Sequence, residues 1–148
     1  CLTELIFNDM KAIVVEGKTD YHVLEALFPD IQKKEIKLLL ANGFSGVWAV
    51  SKALIDYGCE VLAILDTDTR ISGNDNRNIM SRIQSTGLLT RSINIVWMDS
   101  CMEDVLKKVD PGIQLKYVGA ALQQYIRKYK EAILQLNEFR LIQDFINK

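Results

Sequence analysis

Acidic residues follow three apolar runs of this chain, and carboxylates grouped in this way could bind a divalent metal ion. The runs with their acids are KAIVVEGKTD (11–20), CEVLAILDTDT (59–69) and INIVWMDSCMED (93–104). Continuous Val, Ile and Leu runs are typical of strands buried on both faces of a parallel sheet, and ligands bind beyond the carboxyl ends of such strands. Carboxylates that meet there repel one another unless a cation lies among them. The acids predicted to share this edge are Glu16, Asp20, Asp66, Asp68, Asp99, Glu103 and Asp104.

The sharpest of the three patterns is Asp66-Thr67-Asp68, which follows five apolar residues. Side chains two residues apart at a strand end point the same way, so both carboxylates can share one cation. Two carboxylates and water suit the octahedral oxygen shell of Mg²⁺ or Mn²⁺. Helix capping or chance would be the alternative explanation of either acid.

Glu16 and Asp20 flank a predicted strand-to-helix turn. Glu16 ends the strand, Gly17 lets the backbone turn sharply, and Asp20 lies in the first turn of a helix that Thr19 is predicted to cap. Both carboxylates can then approach the space above the sheet. The alternative is that Glu16 is a solvated strand end and Asp20 a first-turn acid favoured by the helix dipole.

The third cluster, MDSCMED, has a structural explanation of its own. Ser100 is predicted to cap a short helix beginning near Met102, with Glu103 as its partner in a capping box. Three acid clusters at three strand ends nevertheless favour a common function. Two metal ions about 4 Å apart need about this many carboxylates for in-line phosphoryl transfer.

The rest of the composition narrows the chemistry. With His22 as the single histidine, a multi-histidine zinc site is excluded and a Ser-His-Asp triad is not favoured, so we expect catalysis to use carboxylates, lysines or hydroxyls. The three cysteines are widely spaced and indicate reduced thiols rather than a disulfide framework or a zinc site. No glycine-rich phosphate-binding motif is present.

Length and charge fit one domain that could contact nucleic acid. The chain has 148 residues, 49% of them hydrophobic, without an apolar run long enough for a membrane span. It begins with Cys1, which predicts a fragment of a larger protein. The net charge of −1 argues against a strongly basic nucleic-acid binder, but residues 1–111 are acidic and residues 112–148 are basic. This asymmetry suits a metal site beside a phosphate-contacting face, or an ordinary solvated helix.

Apolar periodicity predicts strands that alternate with helices, which favours a parallel α/β sheet. The predicted strands are 11–16, 36–41, 60–65 and 93–98. The predicted helices are one capped by Thr19 that runs through residues 21–28, then 45–57, 77–86, a short one from about 102, and a final one that follows Gly112 and continues nearly to the end. A polar loop is predicted over 70–78.

These residues resemble the Toprim domain, the catalytic fold shared by topoisomerases, bacterial primases and several nucleases. That family carries a glutamate in an EG motif after its first strand and a DxD after its third, which match Glu16-Gly17 and Asp66-Thr67-Asp68. The order of elements matches over residues 11–110. EGKTD is most similar to the EGxxD/E form of OLD-family (overcoming lysogenization defect) nucleases or of small standalone Toprim proteins.

The resemblance implies a Rossmann-like, three-layer α/β fold with a central, mainly parallel sheet of about four strands flanked by helices. Residues 1–112 would form the catalytic core and residues 113–148 a C-terminal helical extension packed on the same domain. The implied activity is metal-dependent hydrolysis of phosphodiesters in nucleic acid with two Mg²⁺ or Mn²⁺ ions.

The resemblance also implies the site residues. The metal ligands would be Glu16, Asp20, Asp66, Asp68 and Glu103. The catalytic residues would be Glu16, Asp66, Asp68 and Lys116. Glu16 would either bind metal or act as general base. Lys116 would stabilise charge on the scissile phosphate, with Lys128 as the alternative lysine.

The expected partner is nucleic acid, with DNA favoured over RNA. An upstream ATPase domain or partner chain, a homodimer and a cytoplasmic location are also expected, and no membrane. A haloacid-dehalogenase-type phosphatase fits less well because Arg70 occupies the fifth motif position and the acids follow the third strand. A receiver domain also fits less well, because it would need an acidic pair after the first strand, and this pair is not seen. The remaining alternative is a Toprim-like module that binds nucleic acid or a partner without cutting.

Overall fold

The computed structural model describes residues 10–67, 93–113 and 120–148 of the chain, and element numbers below refer to these residues. The strands are β1 (Lys11–Val15), β2 (Ile36–Leu40), β3 (Glu60–Asp66) and β4 (Ile93–Met98). The helices are α1 (Lys18–Leu27), α2 (Gly43–Asp56), α3 (Met102–Leu106), α4 (Ala120–Leu134) and α5 (Asn137–Asn147), with a 3₁₀ turn at Gln32–Lys34. The loop predicted over 70–78 and the helix predicted over 77–86 lie outside the described residues.

The four strands form one parallel sheet in the order β2-β1-β3-β4. Val15 pairs with Leu40 on one side and Ile64 on the other, and Asp66 pairs with Met98. The carboxyl ends of all four strands therefore lie along one edge of the sheet. The predicted parallel α/β architecture is confirmed.

The central strands explain the apolar runs in the sequence. Residues 12–15 of β1 and 61–65 of β3 are buried without alternation, because helices cover both faces of the sheet. One face packs against α1, α4 and α5, and the opposite face packs against α2. The resulting three layers match the Rossmann-like fold that the resemblance implied.

Residues 120–148 form two helices, where the sequence predicted a single one. The helical conformation is interrupted at Leu136, whose ψ of 141° is that of extended backbone. If the helix continued past Ile133, which is buried, its periodicity would direct Asn137 and Arg140 towards the core. Because the helix is interrupted, Phe139 is buried instead. Both helices contribute to the core around α1. The division at residue 112 stays a prediction.

No helix within the described ranges is long and apolar enough to cross a membrane.

Candidate functional site

The turn after β1 brings two of the predicted acids to the carboxyl edge of the sheet. Gly17 is the N-cap of α1, so the predicted cap at Thr19 is wrong by two residues. Asp20 is only 6% exposed, and its Oδ2 accepts the Gly17 backbone N–H at 3.1 Å. The Glu16 carbonyl oxygen accepts the Gly43 N–H at 3.3 Å, which ties this turn to the start of α2.

Gly17 does not have a positive φ, the backbone conformation for which a turn would need glycine. Its φ of −139° and ψ of 169° are extended and open to any residue. A Cβ atom at this position would lie 3.7 Å from Asp20 Oδ2, an ordinary contact distance. By contrast, Gly43 has a φ of 76°, which L-residues rarely adopt.

Asp66 places a third carboxylate beside Glu16. The pKa of Glu16 is raised to about 8 by burial first, then by the negative charges of Asp66 and Asp20. Hydrogen bonds also connect Glu16 to the backbone and to the side chain of Asp66. Glu16 directly follows β1, and Asp66 is the last residue of β3. These two strands are neighbours in the centre of the sheet, so their pairing brings the two residues near each other.

Asp20 connects these acids to Glu103 on α3. The pKa of Asp20 is raised to about 7, mainly by burial, then by the charge of Asp66 and, more weakly, of Glu103. The hydrogen bond from Gly17 opposes this rise, because it favours the charged carboxylate. Glu16, Asp20, Asp66 and Glu103 therefore form one group of interacting carboxylates, which we call the acidic centre.

The turn between β4 and α3 differs from its predicted form. Cys101, not Ser100, is the N-cap of α3, and it makes no side-chain cap hydrogen bond. Burial, as the main cause, raises the pKa of the Cys101 thiol to about 12, and the thiol also hydrogen-bonds Glu103. Ser100 has a φ of 72°.

Thr67 holds this turn to the end of β3. Its Oγ1 donates to the Met98 carbonyl oxygen at 3.0 Å and accepts the Ser100 N–H at 2.7 Å. The Thr67 N–H also donates to Met98 O, at 3.3 Å. The residue between the two acids of the DxD pattern thus connects β3 with the segment that leads to Glu103.

Two of the seven acids predicted at this edge form ion pairs with lysines instead of joining the acidic centre. Asp99 is exposed and lies 2.9 Å from Lys108 Nζ. Asp104 lies 3.7 Å from Lys107 Nζ. Both acids follow β4 closely in sequence, but each of them forms its ion pair with a lysine at the protein surface.

Two predicted residues, Asp68 and Lys116, lie outside the described residues. Lys128 is exposed on α4, with its Nζ 5.3 Å from the centre of the Tyr129 ring. Lys130, half a turn further along α4, lines a groove together with Leu27 at the end of α1. Asp20 lies in the first turn of α1, at the end of that helix opposite Leu27.

The donor atoms of the acidic centre suit a hard divalent cation. Carboxylate oxygens are the ligands of Mg²⁺ and Mn²⁺. Within residues 10–67, 93–113 and 120–148, no lysine or arginine is among the groups that shift the pKa of Glu16 or Asp20. In the described part of the chain, however, no three His, Cys, Asp or Glu side chains are arranged to hold a metal ion. The chemistry therefore fits a cation, while the side chains are not yet positioned as a ligand shell.

Thr67 and Cys101 are the residues that sequence reasoning missed. Thr67 stands inside the motif that was recognised, so its position was a usable signal. Nothing in the sequence singles out Cys101, because its burial and its contact with Glu103 depend on the turn after β4.

A parallel sheet in this order, with acids beyond its two central strands, is consistent with a Toprim-type, Rossmann-like α/β fold. Residues 7–68 match the family model described as overcoming lysogenization defect protein-like, TOPRIM domain. The matched part of the chain contains both EGKTD and Asp66-Thr67-Asp68, in agreement with the resemblance that these motifs indicated. A match to this family model indicates a metal-binding domain connected with nucleic acid. No curated protein and no solved structure matches the chain.

Proposed function

We propose that this chain is a metal-dependent nuclease domain that hydrolyses phosphodiester bonds of nucleic acid. The observation that carries the proposal is the mutual repulsion of Glu16, Asp20 and Asp66 at the carboxyl edge of an OLD-like TOPRIM sheet. Carboxylates held this close in a partly buried place are stabilised by a cation or by a proton. We expect a cation rather than a proton, because a bound cation could take part in phosphodiester hydrolysis.

Glu16 and Asp20 would hold one ion, and Asp66, Asp68 and Glu103 would hold the second. Mg²⁺ or Mn²⁺ fits these oxygen donors. When bound, such ions polarise a phosphoryl oxygen and lower the pKa of water. The hydrogen bond from Gly17 fixes Asp20 Oδ2, so the orientation of this ligand is set by the backbone.

The protein residues would then position the substrate and handle protons. With a pKa raised to about 8, the Glu16 carboxyl holds a proton near neutral pH in the metal-free domain. Glu16 would have to release this proton before it could bind an ion or accept a proton from water as general base. Lys116 would stabilise charge on the scissile phosphate. Lys128 is the alternative lysine, and its Nζ lies 5.3 Å from the centre of the Tyr129 ring.

A second candidate is a TOPRIM-like module that binds nucleic acid or a partner without cutting it. The ion pairs of Asp99 with Lys108 and of Asp104 with Lys107 fit this candidate, because they give two of the acids after β4 a structural role. In that case the acidic centre would be a structural feature, or would bind metal without turnover.

The further expectations belong to the proposal as well. These are DNA in preference to RNA, an upstream ATPase domain or partner chain, a homodimer, a cytoplasmic location, and the division into residues 1–112 and 113–148.

Cleavage assays test the proposed function. Plasmid DNA, single-stranded DNA and RNA would be incubated with the protein in Mg²⁺, Mn²⁺ or EDTA, using wild type, Asp66→Asn and Asp99→Asn. Asp99 is the matched control, because it is an acid after a neighbouring strand whose charge is paired with Lys108. We expect metal-dependent cutting that Asp66→Asn abolishes and Asp99→Asn retains. Folded wild-type protein that cuts none of the substrates would contradict the nuclease proposal and favour the binding module.

A further inference from the structure

The end of β3 and the turn that leads to Glu103 are connected through one hydroxyl group. Thr67 Oγ1 donates to Met98 O at 3.0 Å and accepts the Ser100 N–H at 2.7 Å. The Thr67 hydroxyl is therefore both a hydrogen-bond donor and a hydrogen-bond acceptor to the same turn. Serine could replace it in this role, and valine could not, since valine keeps the shape of threonine but has no hydroxyl.

The turn needs such a restraint because its conformation is unfavourable. Ser100 has a φ of 72°, in the left-handed region that residues other than glycine seldom occupy. Positions of this kind persist when surrounding contacts enforce them. Two contacts hold Ser100: the Cys101 N–H donates to Asp99 O at 3.1 Å and closes the turn within the main chain, and the Ser100 N–H donates to Thr67 Oγ1 at 2.7 Å, which fixes the turn to β3.

The position of the turn affects the acidic centre directly. Cys101 and Glu103 follow Ser100, and the Cys101 thiol hydrogen-bonds Glu103. Glu103 in turn lies close enough to Asp20 for their charges to interact. Asp66 immediately precedes Thr67, so one residue adjoins both parts of the proposed ligand set.

We propose that Thr67 is a positioning residue of the metal centre: its hydroxyl fixes the turn at Ser100 and thereby sets the place of Glu103 relative to Asp66 and Asp20. This inference rests on the proposed function, in which Glu103 is a metal ligand. Residues that orient ligands in this way typically change metal affinity by about 10–100-fold when they are replaced.

The test compares Thr67→Val with Thr67→Ser in two measurements. Mn²⁺ affinity, followed by electron paramagnetic resonance of the free ion, is expected to fall at least about tenfold in Thr67→Val and to stay near wild type in Thr67→Ser. Hydrogen exchange of the Ser100 amide, measured without metal, is expected to be faster in Thr67→Val and normal in Thr67→Ser. Circular dichroism would verify that both variants fold.

A double-mutant cycle with Glu103→Gln separates positioning from a general loss of structure. If Thr67 acts through Glu103, Thr67→Val should weaken Mn²⁺ binding far less in the Glu103→Gln background than in wild type. Equal losses in both backgrounds, or an unchanged affinity in Thr67→Val, would overturn the proposal.

Failure of the proposed function gives a different result. If wild-type protein binds no Mn²⁺, the metal centre is wrong, and exchange of the Ser100 amide decides the role of the hydroxyl. Unchanged exchange in Thr67→Val then overturns the proposed hold on the turn, whereas faster exchange rescued by Thr67→Ser supports it.

Discussion

Asp20 accepts a hydrogen bond from the backbone N–H of Gly17, across 3.1 Å, while remaining almost completely buried. This single bond compensates only part of what burial and the charge of Asp66 cost the ionised carboxylate, since the pKa of Asp20 is still raised to about 7. The carboxylate is therefore held in a fixed orientation in a place where it prefers to be neutral. A cation that reached it would relieve both effects.

The raised pKa values predict how the stability of the metal-free protein depends on pH. Between about pH 4, where unfolded carboxyls titrate, and about 7 to 8, the folded state binds more protons at Asp20 and Glu16 than the unfolded state does. Stability must therefore fall as pH rises through this window. Asp20→Asn, whose amide oxygen can still accept the Gly17 N–H, should remove part of this loss, about 1–3 kcal/mol at pH 8.

Urea unfolding in EDTA at pH 5 and pH 8 measures this effect. Asp30→Asn is the control, because Asp30 is an exposed acid that pairs with Lys33 on the surface. The control should keep the pH dependence of wild type. A wild-type protein whose stability does not decrease between the two pH values would contradict the prediction.

Divalent metal should reverse the same loss. At a concentration about 100-fold above the dissociation constant, a ligand that binds only the folded state contributes about 2.7 kcal/mol of stability. We expect Mg²⁺ or Mn²⁺ to raise the melting temperature more at pH 8 than at pH 5, because protons compete for the carboxylates at the lower pH. Thermal unfolding with metal or EDTA would show this, and Asp66→Asn should abolish the shift while Asp99→Asn keeps it. An equal shift in both variants would place the ion elsewhere.

Two glycines should respond differently to alanine. Gly17 has extended backbone angles and room for a Cβ atom, so Gly17→Ala should change stability by less than about 1 kcal/mol. Gly43 has a φ of 76°, where a Cβ atom costs about 1–2 kcal/mol whatever the space around it. Urea denaturation of the two variants compares them directly. If Gly17→Ala folds normally but loses cleavage, the glycine of the EG motif serves the site rather than the fold.

The C-terminal helix α5 should be required for folding of the domain. Phe139 is fully buried in the core that α1 and α4 share, so Phe139→Ala should cost about 3–5 kcal/mol. Leu141, two residues further on, is 46% exposed, and Leu141→Ala should cost well under 1 kcal/mol. Equilibrium unfolding in urea gives both values. A small cost for Phe139→Ala would mean that residues 113–148 are only loosely attached to the core.

Buried strands and their acids could be predicted from the sequence because both depend on local patterns. The run from Val61 to Leu65 has one reasonable interpretation, and the acid that follows it must then lie at the carboxyl edge of the sheet. Glu16 and Asp20 follow by the same argument. The match of residues 7–68 to the family model confirms the resemblance that these motifs indicated.

The features that were not predicted depend on contacts between distant parts of the chain. Ser100 has a suitable side chain for a helix cap, but its N–H is bound to Thr67, 33 residues earlier, and the cap moves to Cys101. Asp99 looks like an additional ligand until Lys108 is seen to pair with it. The end of α4 near Leu136 depends on how two helices share one core, which periodicity within either helix does not specify.

The parallel pairing of β1 with β3 also determines how durable the acidic centre should be. The ladder between the two innermost strands ends at the pair of Val15 and Ile64, one residue before Glu16 and two before Asp66. Such central ladders usually open only when the whole domain unfolds. The main chain that carries these two carboxylates should therefore stay in place during fluctuations that open the edges of the sheet, and heating should displace it only together with the fold.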